Sequence, residues 1–290
     1  VVVIHVGRLA PFNQWDQTLL DDLFANELYP TGLSFQRWDG YPNADGGCVL
    51  LIPGRYWADS TDQVTEAIAR FDWVLGIRVG DEEDLFDIGR VGHPNIRWWV
   101  QSPRTDRDYG DARFIGVGFT PHFRHLPTES PEKRLNVFLS AQNTHSRRSL
   151  AFRTLANAAP ADSVIQETEG FTQGMAFDKY RAAMLAARVA PAPSGAVCPD
   201  SFRLWEALEA HTVPIADDVS PTYDSQGFWE KVCPGAPFPV LSKYRDLPGY
   251  INDVASDWPA SANRVTAWWM LQKRRYVQWL REDLEALGAL

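Results

Sequence analysis

The sequence predicts two consecutive Rossmann-like α/β domains facing a cleft, followed by one long helix. Three observations predict it. Short β-branched runs alternate with stretches of helical period, the pattern of a parallel sheet with crossover helices. A proline-rich stretch over 120–133, with Pro121, Pro127 and Pro131, interrupts that pattern, which then restarts. The chain of 290 residues is long enough for two modest domains. The expected division is an N-terminal domain over 1–125, a second over 133–258, and a C-terminal helix over 259–290 placed to cross back to the first domain.

In the first part, 1–6, 33–38, 48–52, 73–79, 96–101 and 113–117 read as strands, and 16–28 as a helix. Ser60-Thr61-Asp62-Gln63 has the form of a capping box and opens a second helix running to about residue 70. Polar loops over 7–16, 80–87 and 102–111 follow strands; in open α/β sheets such carboxyl-end loops are where ligands sit. In the second part, 135–140, 163–166, 189–191 and 212–216 read as strands, with helices over 146–157, 178–187 and 200–210. The final helix, 260–287, carries an apolar stripe of Trp268, Trp269, Leu271, Tyr276, Trp279, Leu280, Leu284 and Leu287. Its other face mixes Lys273, Arg274 and Arg275 with Glu282, Asp283 and Glu285, so it reads as a packing helix and not a membrane-surface one.

With 45% hydrophobic and 22% charged residues, the composition is that of an ordinary globular protein. No apolar stretch has the length to cross a bilayer. Residues 1–6 are too short for a signal-peptide core and read as a buried strand. Cys48, Cys198 and Cys233 are odd in number and form no C-x-x-C pair, which argues against a disulfide framework or structural zinc and for a reducing, cytoplasmic compartment. They read as small core hydrophobes. The net charge of -9 argues against a protein that coats nucleic acid. The charge is uneven, however: 97–153 holds ten Lys/Arg against five Asp/Glu. That basic middle reads either as a solvated face or as the lining of a cleft for a diphosphate or polyanion.

The most informative segment runs Asp178-Lys179-Tyr180 … Ser194-Gly195 … Asp200-Ser201-Phe202-Arg203-Leu204-Trp205-Glu206 … Val213-Pro214-Ile215-Ala216-Asp217. A Gly-containing loop opens a helix at Asp200-Ser201, where unpaired amides and the helix dipole favour a phosphate. Glu206, one to two turns inside, is placed to accept two ribose hydroxyls. Arg203 points either at phosphates or at Asp217. Arg147 and Arg148 open a helix against its dipole, a placement that makes sense if a diphosphate faces them.

The run Ser194-Gly195 … Ser201-x-Arg203-Leu204-x-Glu206-Ala207 … Val213-Pro214-Ile215 … Asp217 resembles the donor-site signature of exostosin-like glycosyltransferases, of the GT-B fold. Phe138-Leu139-Ser140-Ala141-Gln142-Asn143 … Ser146-Arg147-Arg148 resembles that family's loop-and-Arg segment. The resemblance covers about 135–218; one departure is His211-Thr212, where the family carries a Gly-containing turn. It implies an inverting enzyme that uses a nucleotide-diphosphate sugar, UDP-linked, with Gln142, Asn143, Arg147, Arg148, Ser194, Gly195, Asp200, Ser201, Phe202, Arg203 and Glu206 at the donor. No further cofactor is expected. The acceptor reads as a glycan or a modified DNA base. A non-catalytic nucleotide-sugar or glycan-binding protein and a nucleic-acid-binding module are the rival readings.

An inverting transfer needs a carboxylate to take the acceptor hydroxyl's proton. Asp81, Glu82 and Glu83, in the acidic run ending at Asp84, follow a first-domain strand and are the candidates, with Glu82 first; Asp16 and His5 compete. The alternative reading of the run is a solvated acidic loop. Asp106-Arg107-Asp108 lies in a loop without the acidic context of a metal site and reads as a polar turn, so metal independence is expected. No G-x-S-x-G, P-loop or G-x-G-x-x-G occurs. Of the 12 tryptophans, Trp15, Trp38 and Trp57 lie near loops where an aromatic ring can stack on a sugar or base.

Overall fold

The computed structural model describes residues 2–8, 14–24, 33–39, 46–124, 126, 132–170, 173–223 and 226–290, with the backbone alone for 2–8, 14 and 33–39. It divides into two compact units, Val1–Val117 with Leu271–Leu290, and Gly118–Met270. The division falls ahead of the proline-rich stretch, of which 125 and 127–131 lie outside the described residues.

The first unit is built on a six-stranded sheet in the order β2-β1-β3-β4-β5-β6, formed by β1 (Val2–Arg8), β2 (Leu33–Asp39), β3 (Cys48–Pro53), β4 (Val74–Val79), β5 (Ile96–Gln101) and β6 (Arg113–Ile115). Every pairing is parallel. Both faces are covered, which is why β3 and β4 are buried at every position and show no apolar/polar alternation. On one face Cys48, Leu50 and Ile52 pack with Val64 and Ile68 of helix α2 (Thr61–Ile68) and with Phe86, Trp98 and Val100. Gly76 of β4 lies opposite Trp98, and a Cβ there would stand 2.5 Å from the indole, so the ring takes the place of a side chain. The expected capping box at Ser60 starts the helix in place, but the Ser60 side chain makes no capping bond. The helix expected over 16–28 is a 3-10 turn at Gln14–Gln17 and a short α1 (Thr18–Asp22), with 25–28 outside the described residues.

The second unit carries a five-stranded parallel sheet, β11-β10-β9-β7-β8, from β7 (Leu135–Gln142), β8 (Val164–Thr168), β9 (Ala187–Ala192), β10 (Val213–Asp217) and β11 (Val240–Leu241). Helices α4 (Phe177–Ala186) and α5 (Phe202–Glu209) pack together over β7, β9 and β10. Helix α3 (Ser146–Ala158) contacts α7 (Leu247–Ser256), and a short α6 (Phe228–Val232) precedes β11. The chain leaves β7 toward β8, then returns past β7 to β9, so the strand order reverses between β7 and β9. In open α/β sheets that switch point marks the ligand crevice at the carboxyl ends.

The last helix, α8 (Ala260–Ala286), is shared between the units. In the second unit Trp269 lies 5.4 Å from the Trp205 ring and donates to Glu209 at 2.7 Å. In the first, Asp283 accepts from the Trp99 indole at 2.7 Å and pairs with Arg113 at 2.9 Å, while Asn95 donates to Leu287 O. No described helix is long and apolar enough to cross a membrane. Cys48, Cys198 and Cys233 are buried and unbridged, with burial pushing the Cys48 thiol up to about 12.

Candidate functional site

The loops at the carboxyl ends of β7, β9 and β10 meet through one carboxylate. Asp217, the last residue of β10, accepts both Nε and Nη2 of Arg147, the Tyr244 hydroxyl at 2.9 Å and the amide of Val219 at 3.2 Å. Arg147 also lies over the Tyr244 ring and donates to Ser242 O at 3.2 Å. Arg148 donates to Ser194 O at 2.9 Å and Gln142 O at 3.0 Å. Arg147 and Arg148, expected at the donor diphosphate, both engage protein groups at this edge. Both guanidiniums are turned inward, where backbone carbonyls and a buried carboxylate satisfy the fork better than solvent would. They hold the Ser194-Gly195 loop against the start of α3. Ser194 is fully buried, with its hydroxyl on Val219 O at 2.7 Å.

Sequence reasoning passed over His145, which precedes α3 and directs Nε2 at Ser194 O, 3.3 Å away. Burial and the neighbouring Arg148 lower its pKa, and a carbonyl partner makes Nε2 the donor. Gln142 donates to Glu169 O, just past β8, and Asn143 to Glu167, near the end of β8, so these two residues tie the end of β7 to the end of β8.

Helix α5 begins at this same edge. Asp200 is buried and accepts the Trp205 indole at 2.7 Å, which locks the loop to the helix. Ser201 is the N-cap residue, and its buried hydroxyl has no hydrogen-bond partner among the described residues. Unsatisfied buried hydroxyls are rare, and this one stands at a helix N-terminus, where unpaired amides and the dipole favour negative charge. Phe202 opens the helix itself. Arg203 donates through Nε to Ser140 O at 2.8 Å, which decides against Asp217 as its partner.

Glu206 is 4% exposed, and both oxygens are engaged: Thr120 donates to Oε1 at 2.8 Å and Tyr180 to Oε2 at 2.8 Å. Burial raises its pKa, against the lowering effect of those two hydroxyls and Arg203. Neither Thr120 nor Tyr180 was singled out as a partner in the sequence, because contacts across 86 and 26 residues carry no local pattern. After Glu206 the helix closes in a Schellman motif, Thr212 N to Ala207 O at 2.9 Å and His211 N to Leu208 O at 3.3 Å. His211 stands at φ 54, so the turn keeps the left-handed geometry that glycine prefers, although the residue is histidine.

At the carboxyl edge of the first unit, the acidic loop is more internal than expected. Asp81 is 1% exposed and accepts the amides of Leu85 and Phe86 at 3.0 and 2.9 Å; burial raises its pKa. Asp84 pairs with buried Arg78 and with Arg107 at 2.8 Å. Glu83 pairs with Arg55 at 3.3 Å. The loop is thus a folded staple around Arg78, in which Asp81, one of the candidate bases, is tied to two backbone amides. Glu82 is partly exposed on the same loop. Gln101, at the end of β5, donates to Asp16 O at 2.7 Å and accepts from Gly80 N at 3.4 Å. Gly80 sits at φ 60, and a Cβ there would stand 3.0 Å from Asp16 Oδ2. Asp16 and the Asp81-Glu82-Glu83 loop, read as competitors, are neighbours.

The side chains of His5 and Trp38 lie outside the described residues. Trp57 packs against the first unit's core. Asp106 pairs with Arg104 at 2.6 Å and Asp108 accepts Gly110 N at 2.9 Å, the geometry of a polar turn. Among the described residues no three His, Cys, Asp or Glu side chains gather as a metal site.

No family model matches the chain, and no curated protein matches it in sequence. Among solved structures it is similar to Alr3699/HepE of Anabaena, determined in complex with UDP, at 12% identity and a TM-score of 0.53, with 100% of each chain covered. At that identity the likeness is one of fold: an α/β chain with parallel sheets.

Proposed function

We propose that this chain is a glycosyltransferase of the two-domain GT-B type, moving a sugar from a UDP-linked donor to an acceptor hydroxyl with inversion. The observation that carries the reading is the start of α5 beside the β7/β9 switch point. It presents a buried, unpartnered Ser201 hydroxyl at a helix N-terminus, with Glu206 behind it. A UDP-bound protein of the same fold supports it.

In this reading the α5 N-terminus and Ser201 take a phosphate, where the dipole and a donor hydroxyl both favour negative charge. Arg203, anchored through Nε, offers its terminal fork to the diphosphate. Glu206 takes the ribose hydroxyls; each carboxylate oxygen has a second lone pair beyond the one that Thr120 or Tyr180 uses. The GT-B arrangement gives the donor to the second domain and the base to the first, where Glu82 is the candidate and Asp16 its competitor. The basic stretch over 97–153 favours an anionic acceptor, a glycan or a modified DNA base. The diphosphate charge is carried by these protein groups, without a metal.

Calorimetric titration with UDP, followed by release of UDP from a UDP-sugar without acceptor, tests the reading. Binding with slow hydrolysis is expected. Binding with no turnover on any acceptor would make the chain a nucleotide-sugar-binding protein, and no binding would remove the reading.

A further inference from the structure

The mixed charges that the sequence shows on α8 separate by position. The buried face carries Val265, Trp269, Tyr276, Leu280 and Leu284, at the three- and four-residue spacing of a packed helix. Two of the acids are used there or beside it: Asp283 accepts the Trp99 indole and pairs with Arg113, and Glu282 pairs with Arg113 at 2.8 Å. The other face is exposed at Arg274, Arg275, Gln278 and Arg281. Leu271, expected in the packing stripe, lies on that face at 60% exposure, and Met270 beside it is 52% exposed. Arg275 is held over the Trp279 ring, 4.9 Å from its centroid. Arg274 and Arg281 make no ion pair or hydrogen bond among the described residues.

From Trp258 to Arg281 the chain has five Arg or Lys and no Asp or Glu, in a protein of net charge -9. The local run outweighs the net charge at close range. A charge is screened beyond about 8 Å at physiological ionic strength, and Arg274 and Arg281 stand about 10 Å apart along the helix axis. An anionic surface laid on this face therefore meets the arginines before the rest of the protein; Glu285, also exposed, lies one turn past Arg281. Guanidiniums beside exposed large apolar side chains suit a lipid headgroup layer, where the cations pair with phosphates and the apolar groups enter the acyl boundary. A nucleic-acid backbone would satisfy the arginines but offers no apolar phase to Met270 and Leu271. We propose that the exposed face of α8 from Met270 to Arg281 docks the protein on an anionic membrane surface. The contact is peripheral, since α8 is not apolar enough to cross a bilayer. It is independent of the glycosyltransferase reading.

The test is flotation of the protein with vesicles of phosphatidylcholine alone and of equal parts phosphatidylcholine and phosphatidylglycerol, with a DNA duplex as competitor. Binding is expected to the anionic vesicles only, and should fade in about 1 M salt, where the screening length falls to about 3 Å. Arg274→Gln combined with Arg281→Gln should weaken it roughly thirty-fold, at about five-fold per cation. Arg274→Lys combined with Arg281→Lys should retain it, and Leu271→Ser should weaken it several-fold, all with the wild-type melting temperature. Wild-type protein that stays unbound, or that binds both kinds of vesicle alike, overturns the proposal. A folded double Gln variant that binds like wild type also overturns it. Release from the vesicles by the duplex would assign the face to nucleic acid and overturn it too. The vesicle and salt comparisons use the wild-type protein, so they decide even where a variant unfolds.

Discussion

Arg147 and Asp217 form a two-pronged ion pair in which Asp217 is 1% exposed and Arg147 15%. The pair joins the first turn of α3 to the end of β10, and Tyr244 completes it from outside the sheet. A basic residue at a helix start opposes the dipole, and here that cost is offset by a buried carboxylate. Arg147→Ala leaves the carboxylate buried without its cation and should cost about 3 kcal/mol of stability, read as a lower denaturant midpoint. Arg147→Lys should recover only part, since an ammonium cannot reproduce the fork. A stable Arg147→Ala protein that had lost UDP affinity would return Arg147 to the donor site.

In its proposed donor role Glu206 sets function against stability. Burial raises its carboxyl above the usual 4.5. The folded state therefore holds the proton more tightly, so this group's contribution is full below the ordinary glutamate range and is lost as pH rises through the folded pKa. Glu206→Gln removes that loss, so the gap in Tm between variant and wild type should widen in the variant's favour from about pH 4 to pH 8. The same change should weaken UDP binding by about 1.5–3 kcal/mol, the range for a hydrogen bond to a charged group. A Tm gap independent of pH, or UDP affinity equal to wild type, would contradict one half or the other.

His211 is the position where the chain departs from the resemblance and the backbone does not. At φ 54 in the closing turn of α5 a histidine carries Cβ crowding that glycine lacks. His211→Gly should raise stability by roughly 1 kcal/mol. Thermal melts of the two proteins decide it, and a loss would mean that the imidazole supports the turn.

In the acidic loop the proposed base, Glu82, stands beside Asp81, whose carboxylate is tied to backbone amides. Asp81→Asn should lower stability, because its two oxygens accept the Leu85 and Phe86 amides. Glu82→Gln should instead cut turnover about 10²–10⁴-fold, the usual worth of a general base. If Asp16→Asn produced that loss and Glu82→Gln did not, the base would belong to the first loop.

Donor hydrolysis should continue in excess chelator, since the Asp106 and Asp108 side chains are spent on Arg104 and Gly110. Activity abolished by EDTA and restored by manganese or magnesium would count against a metal-free diphosphate site.

The strands were legible because a sheet buried on both faces demands unbroken runs such as Cys48–Pro53, and the site helix because Gly195 and Ser201 precede an apolar period. The short α6 and β11 were not legible: five and two residues carry too few periods to register. In the site, Ser201, Arg203 and Glu206 stood out by spacing on one helix. Arg147, Arg148 and Asp81 stood out as charged groups at sheet edges, while their internal partners did not. A charged group in a loop at a sheet edge looks alike in sequence whether it faces a ligand or a buried partner.

Local order is thus what the sequence determined by itself: parallel strands, crossover helices, and the Ser201-to-Glu206 register on α5, all of which depend on residues a few positions apart. The tertiary structure alone decided which charges are satisfied internally. Asp217 meets Arg147 across 70 residues, Glu206 meets Thr120 across 86, and Trp99 meets Asp283 across 184. Burial and hydrogen-bond partners are properties of neighbours in space, and desolvation forces a buried charge to find one wherever in the chain it lies.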